Sequence, residues 1–117
     1  MTDLIICASS GKGTIAHVRK VIEGEKWERV YIITTPEFRE EAKSLGNAEI
    51  ITIDNTKMLS EMIKDMQAQL KDKVRIETAV NIISGEGKEH MALLSALLRL
   101  GVGIRFVAFT KEGIREI

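Results

Sequence analysis

The chain has one cysteine, Cys7, and one proline among its 117 residues. A single cysteine excludes an internal disulfide, and the absence of a CxxC pair or a Cys/His cluster argues against a zinc centre. No stretch approaches the roughly 18 consecutive apolar residues of a membrane span. The N-terminus also lacks the charged start and the long apolar core of a signal peptide. We therefore expect a cytoplasmic protein with no membrane partner, no metal site and no cofactor.

The sequence also lacks an excess of charge of either sign. Lys and Arg together number 17, as do Asp and Glu, so the formal net charge is zero. This balance argues against a broad basic surface for long nucleic acid, although it leaves room for a local positive pocket. With 44% hydrophobic and 29% charged residues, the composition is typical of a globular protein, and the length predicts a single domain over residues 1–117.

Short apolar runs alternate along the chain with longer stretches of helical period. This alternation predicts a parallel sheet that is covered by helices on both faces. We predict an α/β fold, a Rossmann-like three-layer sandwich with a mostly parallel sheet of strand order 3-2-1-4-5, and residues 111–117 as a terminal hairpin or edge strand. The predicted strands are Leu4–Ser9, Arg29–Thr34, Glu49–Ile53, Glu77–Ile83 and Gly103–Phe109. The predicted helices are Thr14–Gly24, Pro36–Leu45, a long helix capped by Asp54, Asn55 or Thr56 and ending near Leu70, and His90–Leu100, which Gly101 stops.

Two glycine-rich segments follow the first and fourth strands, which are neighbours at the switch point of the predicted order. Ligands of open parallel sheets bind there, beyond the carboxyl ends of the strands. Each segment combines serine, glycine and lysine at the start of a helix, where free N–H groups and the helix dipole favour an anion. The predicted ligand-binding residues are Ser9, Ser10, Gly11, Lys12, Gly13, Thr14, Ser84, Gly85, Glu86, Gly87 and Lys88.

Other interpretations of these two segments stay open. The P-loop pattern is not met, but Gly11, Gly13 and Ala16 match the dinucleotide pattern G-x-G-x-x-[GA], with Glu37 near the distance of its acidic partner. That match would indicate a nicotinamide- or mononucleotide-binding enzyme subunit. Both segments could also be plain strand-to-helix turns. His90 is a further residue that could touch a ligand, whereas we expect Cys7 in the core.

The fourth helix is apolar nearly all round, and only Ser95 and Arg99 interrupt it between Met91 and Leu100. A helix that covers one face of a sheet normally keeps a polar stripe. We therefore predict that its outer side packs on a second copy of the chain across a two-fold axis. The same packing would bring two copies of each glycine-rich segment together.

The chain resembles the CARF domain, the CRISPR-associated Rossmann fold, over essentially its whole length. The resemblance lies in the Ser/Gly-rich segment Ser9–Thr14 and in a strand ending in Asn81 that is followed by Ser84–Lys88 and a helix with Met91. Glu86 stands where the family has a second glycine. The resemblance implies a homodimer that binds cyclic oligoadenylate, the second messenger of type III CRISPR antiviral defence, across its two-fold axis.

The resemblance leaves three roles open for a single domain: a sensor, a scavenger, or a metal-independent ring nuclease that cleaves the messenger. In a ring nuclease, Lys88 would stabilise the charge that develops at phosphorus, and Ser9 or Ser10 would orient the attacking or phosphoryl oxygen. A non-catalytic interaction subunit remains a further alternative.

Overall fold

The computed structural model describes residues 2–9 and 13–117. Strands and helices alternate as the sequence predicts, with one short 3₁₀ turn at Pro36–Phe38. The strands are β1 Leu4–Cys7, β2 Val30–Thr34, β3 Glu49–Thr52, β4 Glu77–Asn81, β5 Gly103–Thr110 and β6 Gly113–Glu116. The helices are α1 Ile15–Glu23, α2 Arg39–Lys43, α3 Leu59–Leu70 and α4 Gly87–Arg99.

The sheet has the order β3-β2-β1-β4-β5-β6, which confirms the predicted order 3-2-1-4-5 for the first five strands. These five run parallel, and β6 folds back antiparallel on β5 as the predicted terminal hairpin. In the centre, Ile6 of β1 pairs with Ile32 of β2 on one side and with Asn81 of β4 on the other. β1 and β4 are therefore neighbours, and the chain leaves them toward opposite edges of the sheet.

Successive side chains of β1 enter two different cores. Ile5 and Cys7 pack in the cluster formed with α3 and α4, whereas Leu4 and Ile6 pack in the cluster formed with α1 and α2. Because side chains alternate across a strand, both faces of the sheet are covered and an uninterrupted apolar strand is required. This arrangement is the predicted three-layer sandwich. Cys7 is fully buried, as predicted.

Two predicted helix starts are wrong. α3 begins at Leu59, with Met58 at its N-cap, and not at Asp54, Asn55 or Thr56. The Asp54 carboxylate instead accepts the N–H and the hydroxyl of Thr56, so it closes a local turn before the helix. α4 begins at Gly87, three residues before the predicted His90, so that Lys88 lies in its first turn.

α4 is less uniformly apolar in the fold than its composition indicates. Its buried side, which includes Ala92, Leu93, Ala96 and Leu97, packs in the α3/α4 core. An apolar strip remains outside: Met91 is 58% exposed, Leu98 is 68% exposed, and Leu94 between them is half-buried. Gly101, with φ +74°, follows the end of the helix as predicted. Among residues 2–9 and 13–117, no helix is long and apolar enough to cross a bilayer.

Candidate functional site at the carboxyl edge of the sheet

The segments that follow β1 and β4 lie against each other. The hydroxyl of Ser9, two residues after β1, donates a hydrogen bond to the Glu89 carboxylate in the first turn of α4. A Cβ built on Gly85 would lie 3.2 Å from the same hydroxyl oxygen. The confirmed strand order therefore brings these two segments side by side at the carboxyl edge of the sheet.

Glu89 is the centre of this region, and the sequence analysis did not single it out. Its side chain is buried, with 2% of the residue exposed. Besides Ser9, the carboxylate accepts the side-chain amide of Asn55 at 3.2 Å and the backbone N–H of Glu86 at 3.2 Å. Ser9, Asn55, Glu86 and Glu89 are called the Glu89 cluster below. It joins the segments that follow β1, β3 and β4 at one carboxylate.

Local helix chemistry explains why Glu89 turns inward. Glu86 is the N-cap of α4 and Glu89 its third residue, and the two form a reciprocal capping box. In this arrangement each side chain faces the backbone N–H of the other, which satisfies donors that a helix start leaves without a partner. The spacing Glu86-x-x-Glu89 is a sequence signal of this box, although the N-cap is more often Ser, Thr, Asp or Asn.

Glu86 adds a second carboxylate at the start of α4, two residues before Lys88. A second carboxylate near an anion site opposes binding, unless its charge is directed elsewhere. Glu86 is exposed and faces the start of its own helix. Its carboxylate is therefore used in capping α4 and does not require a partner on a ligand.

Residue 85 is a glycine in a place where the Glu89 cluster leaves no space for a side chain. Its φ is +95°, a conformation that residues with a Cβ rarely adopt. A Cβ there would come within 2.8 Å of a Glu89 carboxylate oxygen and 3.3 Å of the His90 ring. Only glycine lets the segment after β4 pass this close to Glu89 and Ser9.

Lys88 supplies positive charge beside the cluster. Its ammonium donates to the backbone carbonyl of Asn55 at 3.0 Å, so the lysine spans from α4 to the segment after β3. The pKa of Asp54 is lowered, chiefly by the hydroxyl and N–H of Thr56 and in smaller part by Lys57 and Lys88. Lys88 also lies at the N-terminus of α4, where the helix dipole adds to the positive potential.

Two other predicted candidates have structural roles. The His90 ring nitrogen Nε2 lies 2.7 Å from the carbonyl oxygen of Ser84, and because a carbonyl only accepts, Nε2 carries the proton. His90 thus fastens the segment after β4. Burial raises the pKa of the Cys7 thiol, and the nearby Glu89 charge raises it further. A thiol held in its neutral form is a poor nucleophile.

The remaining predicted ligand residues are placed as follows. Gly13 and Thr14 come directly before α1, and Thr14 is its N-cap. Ser84 is buried, and Gly87 is the exposed first residue of α4. Ser10, Gly11 and Lys12 lie outside the described residues, so the predicted pairing of Lys12 with Lys88 stays a prediction.

A second polar group ties the end of β4 to α1 and β5. The Asn81 amide donates to the Val107 carbonyl at 2.8 Å and lies 3.2 Å from the Nε2 atom of His17. The backbone N–H of Phe109 also points at this nitrogen, at 3.4 Å. With donors facing it, Nε2 acts as an acceptor and the ring is neutral. The pKa of His17 is lowered by burial and by the neighbouring Lys20.

The features expected of a dinucleotide site are not found in the described residues. At the end of β2, Thr34 and Thr35 are buried where that pattern places a carboxylate, and the Thr34 hydroxyl donates to Ala8. Glu37 is exposed on the 3₁₀ turn. Ala16 is exposed on α1, whereas the third small residue of the pattern serves close packing of helix on strand.

No family model matches this chain, and no curated protein matches its sequence.

Proposed function

We propose that the protein is a homodimeric, CARF-like domain that binds cyclic oligoadenylate of type III CRISPR antiviral defence at the Glu89 cluster. The observation that supports this most is the convergence of the segments after β1, β3 and β4 at Glu89, with Lys88 beside it. This position is the switch point of the sheet, where open α/β folds bind ligands. The motif resemblance at Ser9–Thr14 and Ser84–Lys88 supplies the ligand class.

The charge of the region favours an anionic ring. One N–H of the Lys88 ammonium is directed to the Asn55 carbonyl, and an ammonium has three. We propose that the other two hydrogens bind phosphate oxygens, with the dipole of α4 adding to the positive potential there. Two protomers would supply two such lysines, and Lys12 is proposed to add a further pair.

The dimer is proposed to form through the exposed strip of α4. Met91 follows Lys88 by about one helical turn, and the strip continues through Leu94 to Leu98. Exposed apolar residues in a row on one helix face are typical of a contact surface. A two-fold axis near Met91 would place the two Lys88 side chains on either side of one ligand.

Cleavage of the ring is the catalytic form of the proposal. A ribose 2′-oxygen would attack the adjacent phosphorus, the bond from phosphorus to the 5′-oxygen would break, and the 5′-oxygen would take up the proton that the 2′-hydroxyl loses to solvent. The products are a 2′,3′-cyclic phosphate and a 5′-hydroxyl on an opened chain. Ser9 would orient the nucleophile, and Lys88 would stabilise the charge on phosphorus. The proposed role of Ser10 is the same as that of Ser9.

Binding is tested by the thermal unfolding of the protein with cyclic tetra-adenylate and cyclic hexa-adenylate, since a ligand of the folded state raises Tm. We expect a rise with at least one ring, and its loss in Lys88→Ala. Lys71→Ala is the control, because it removes a lysine of the same charge at the C-terminal end of α3, outside the Glu89 cluster. An unchanged Tm with both rings at high excess would contradict the proposal. Chromatography of the same mixtures detects opened products.

The dimer is tested by sedimentation of Leu98→Glu. A charge in the centre of an apolar contact is costly, so this variant is expected to be monomeric. Ile76→Glu places the same charge on a still more exposed apolar side chain, 87% against 68%, in the segment before β4 and outside the strip of α4. If the native protein sediments as a monomer, α4 does not form a dimer interface. The same conclusion follows if Leu98→Glu and Ile76→Glu sediment alike.

Two alternatives give different outcomes in these experiments. A rise in Tm with NADH, NADPH or ATP in place of cyclic oligoadenylate would favour a nucleotide-binding enzyme subunit. Indifference to every nucleotide would favour an interaction subunit, which the exposed strip of α4 supports.

A further inference from the structure

The direction of one proton in the Glu89 cluster can be assigned. The hydroxyl of Ser9 donates to the Oε1 atom of Glu89, and the backbone N–H of Glu86 donates to the same atom. The second oxygen, Oε2, faces the Asn55 amide. The proton of Ser9 therefore points inward, at the Glu89 carboxylate.

A hydroxyl whose proton is committed has only its lone pairs for another partner. Ser9 can then accept a hydrogen bond from a ligand but cannot donate one without releasing Glu89. Phosphate diester oxygens only accept, and so they do not match Ser9 in this state. A sugar hydroxyl carries a proton and does match it.

The cluster is built so that this state persists. Only 2% of Glu89 is exposed, and its carboxylate oxygens accept hydrogen bonds from three segments. Gly85 leaves no side chain between Ser9 and Glu89, where a Cβ would approach within 3.2 Å of the Ser9 oxygen. Ser9 itself is only partly buried, so part of the residue is open to solvent.

We propose that Glu89 is a positioning residue that fixes Ser9 as an acceptor for a ribose 2′-hydroxyl, so that the site selects ribonucleotide rings over their 2′-deoxy counterparts. This inference rests on the proposed function and specifies which group of the ring meets Ser9. It assigns the sugar to Ser9 and leaves the phosphates to Lys88. Selectivity at the ribose therefore depends on a buried acid that does not itself touch the ligand.

The test compares the dissociation constants of cyclic tetra-adenylate and its all-2′-deoxy analogue. For the native protein we expect at least a tenfold preference for the ribose ring, the effect of about 1.4 kcal/mol. Ser9→Ala should bind both rings equally, near the native value for the deoxy ring. Ser9→Thr keeps the hydroxyl and should keep the preference. The two rings also differ in sugar pucker, but pucker affects the native protein and Ser9→Ala alike. Comparing the ribose preferences of the two proteins therefore removes its effect, as in a double-mutant cycle.

Glu89→Gln tests the buried acid itself. An amide offers a donor as well as an acceptor, so the proton of Ser9 is no longer directed and the ratio of the two dissociation constants should fall several-fold. Circular dichroism establishes that the variant folds. If it does not fold, Asn55→Ala, which removes one donor that holds the carboxylate, should also lower the preference.

The outcomes separate this inference from the proposed function. If the native protein binds both rings equally and Lys88→Ala weakens both, the inference is wrong and the proposed function stands. The inference is also wrong if Ser9→Ala keeps the full ribose preference. The same holds if the folded Glu89→Gln keeps it, or Asn55→Ala where Glu89→Gln does not fold. If the native protein binds neither ring, the proposed function fails and the inference fails with it.

Discussion

Two buried carboxylates lie at opposite ends of the sheet and are held in different ways. Asp3, before β1, is 2% exposed, and the Arg75 guanidinium donates to both of its carboxylate oxygens, at 2.9 and 3.2 Å. Arg75 also pairs with Glu28 at 2.7 Å, so this end is closed by ion pairs. Glu89 is equally buried, yet within residues 2–9 and 13–117 it accepts hydrogen bonds from neutral groups: a hydroxyl, an amide and a backbone N–H.

The difference indicates what each end is built for. A guanidinium that binds a carboxylate through two bonds saturates it and fixes the chain there. Neutral donors stabilise a buried charge without cancelling it, and the charge in turn orients the donors. The amino end is thus closed by ion pairs, whereas at the carboxyl end neutral donors from three segments converge on one buried carboxylate. The following predictions test this contrast.

The largest effect is expected for Glu89→Ala. The substitution leaves the Ser9 hydroxyl, the Asn55 amide and the Glu86 N–H without their acceptor, at about 1 kcal/mol for each lost bond. The free energy of unfolding should fall by about 3 kcal/mol. Urea denaturation measures it, and a loss below about 1 kcal/mol would mean that the three segments are not held together at Glu89.

Gly85→Ala should destabilise the protein by about 2 kcal/mol, because it adds a clash with Glu89 to the strain of a positive φ. Gly101→Ala is the control. Gly101 also has a positive φ, +74°, but a Cβ there meets nothing within 4 Å, so only about 1 kcal/mol of strain is expected. If Gly85→Ala and Gly101→Ala lower the free energy of unfolding equally, there is room for a side chain between Gly85 and Glu89.

Arg75→Ala should lower the free energy of unfolding by less than Glu89→Ala, because the Arg75 side chain is 45% exposed and water replaces part of the lost attraction to Asp3. The loss should shrink in 1 M salt, where exposed charges are screened. The loss in Glu89→Ala should change little with salt, since its partners are neutral. A salt dependence of the same size in both variants would remove the distinction between the two ends.

The smallest effect is expected from His17. Its pKa in the folded protein lies below the ordinary value of 6.5, chiefly because of burial, so the unfolded chain binds the proton more readily. The stability that His17 contributes is therefore present above about pH 6.5 and is lost as the pH falls toward the lowered pKa. The Tm of His17→Gln, which keeps an acceptor, should fall less than that of the native protein between pH 7.5 and pH 5. Parallel pH profiles of the two proteins would contradict this.

Much of the fold could be predicted because it depends on local patterns. Uninterrupted apolar strands such as Leu4–Cys7 require a sheet that is buried on both faces, and strict alternation with helices requires parallel strands. Helix starts were the weak point. α4 begins at Gly87 because Glu86 and Glu89 cap it, and a glycine next to charged residues hides that start from an analysis based on apolar period.

The sequence predicted that the two glycine-rich segments follow neighbouring strands, but not that Glu89 lies between them. Ser9, Gly85 and Lys88 were found from glycine, lysine and strand order, all of which can be read along the chain. Glu89 and Asn55 were not found, since an acid in the first turn of a helix and an asparagine after a strand are ordinary surface residues in any sequence. Whether such residues are buried and hydrogen-bonded depends on which distant segments pack against them.

The sequence by itself determined the layers, the strand order and the edge of the sheet where the glycine-rich segments meet, because hydrophobic period and chain connectivity act between near neighbours. Only the tertiary structure decided that Glu89 is buried and that Ser9 and Asn55, 80 and 34 residues away, share its carboxylate. The burial of a charge depends on which distant segments supply donors for it, and that is a property of the assembled edge, not of any one segment.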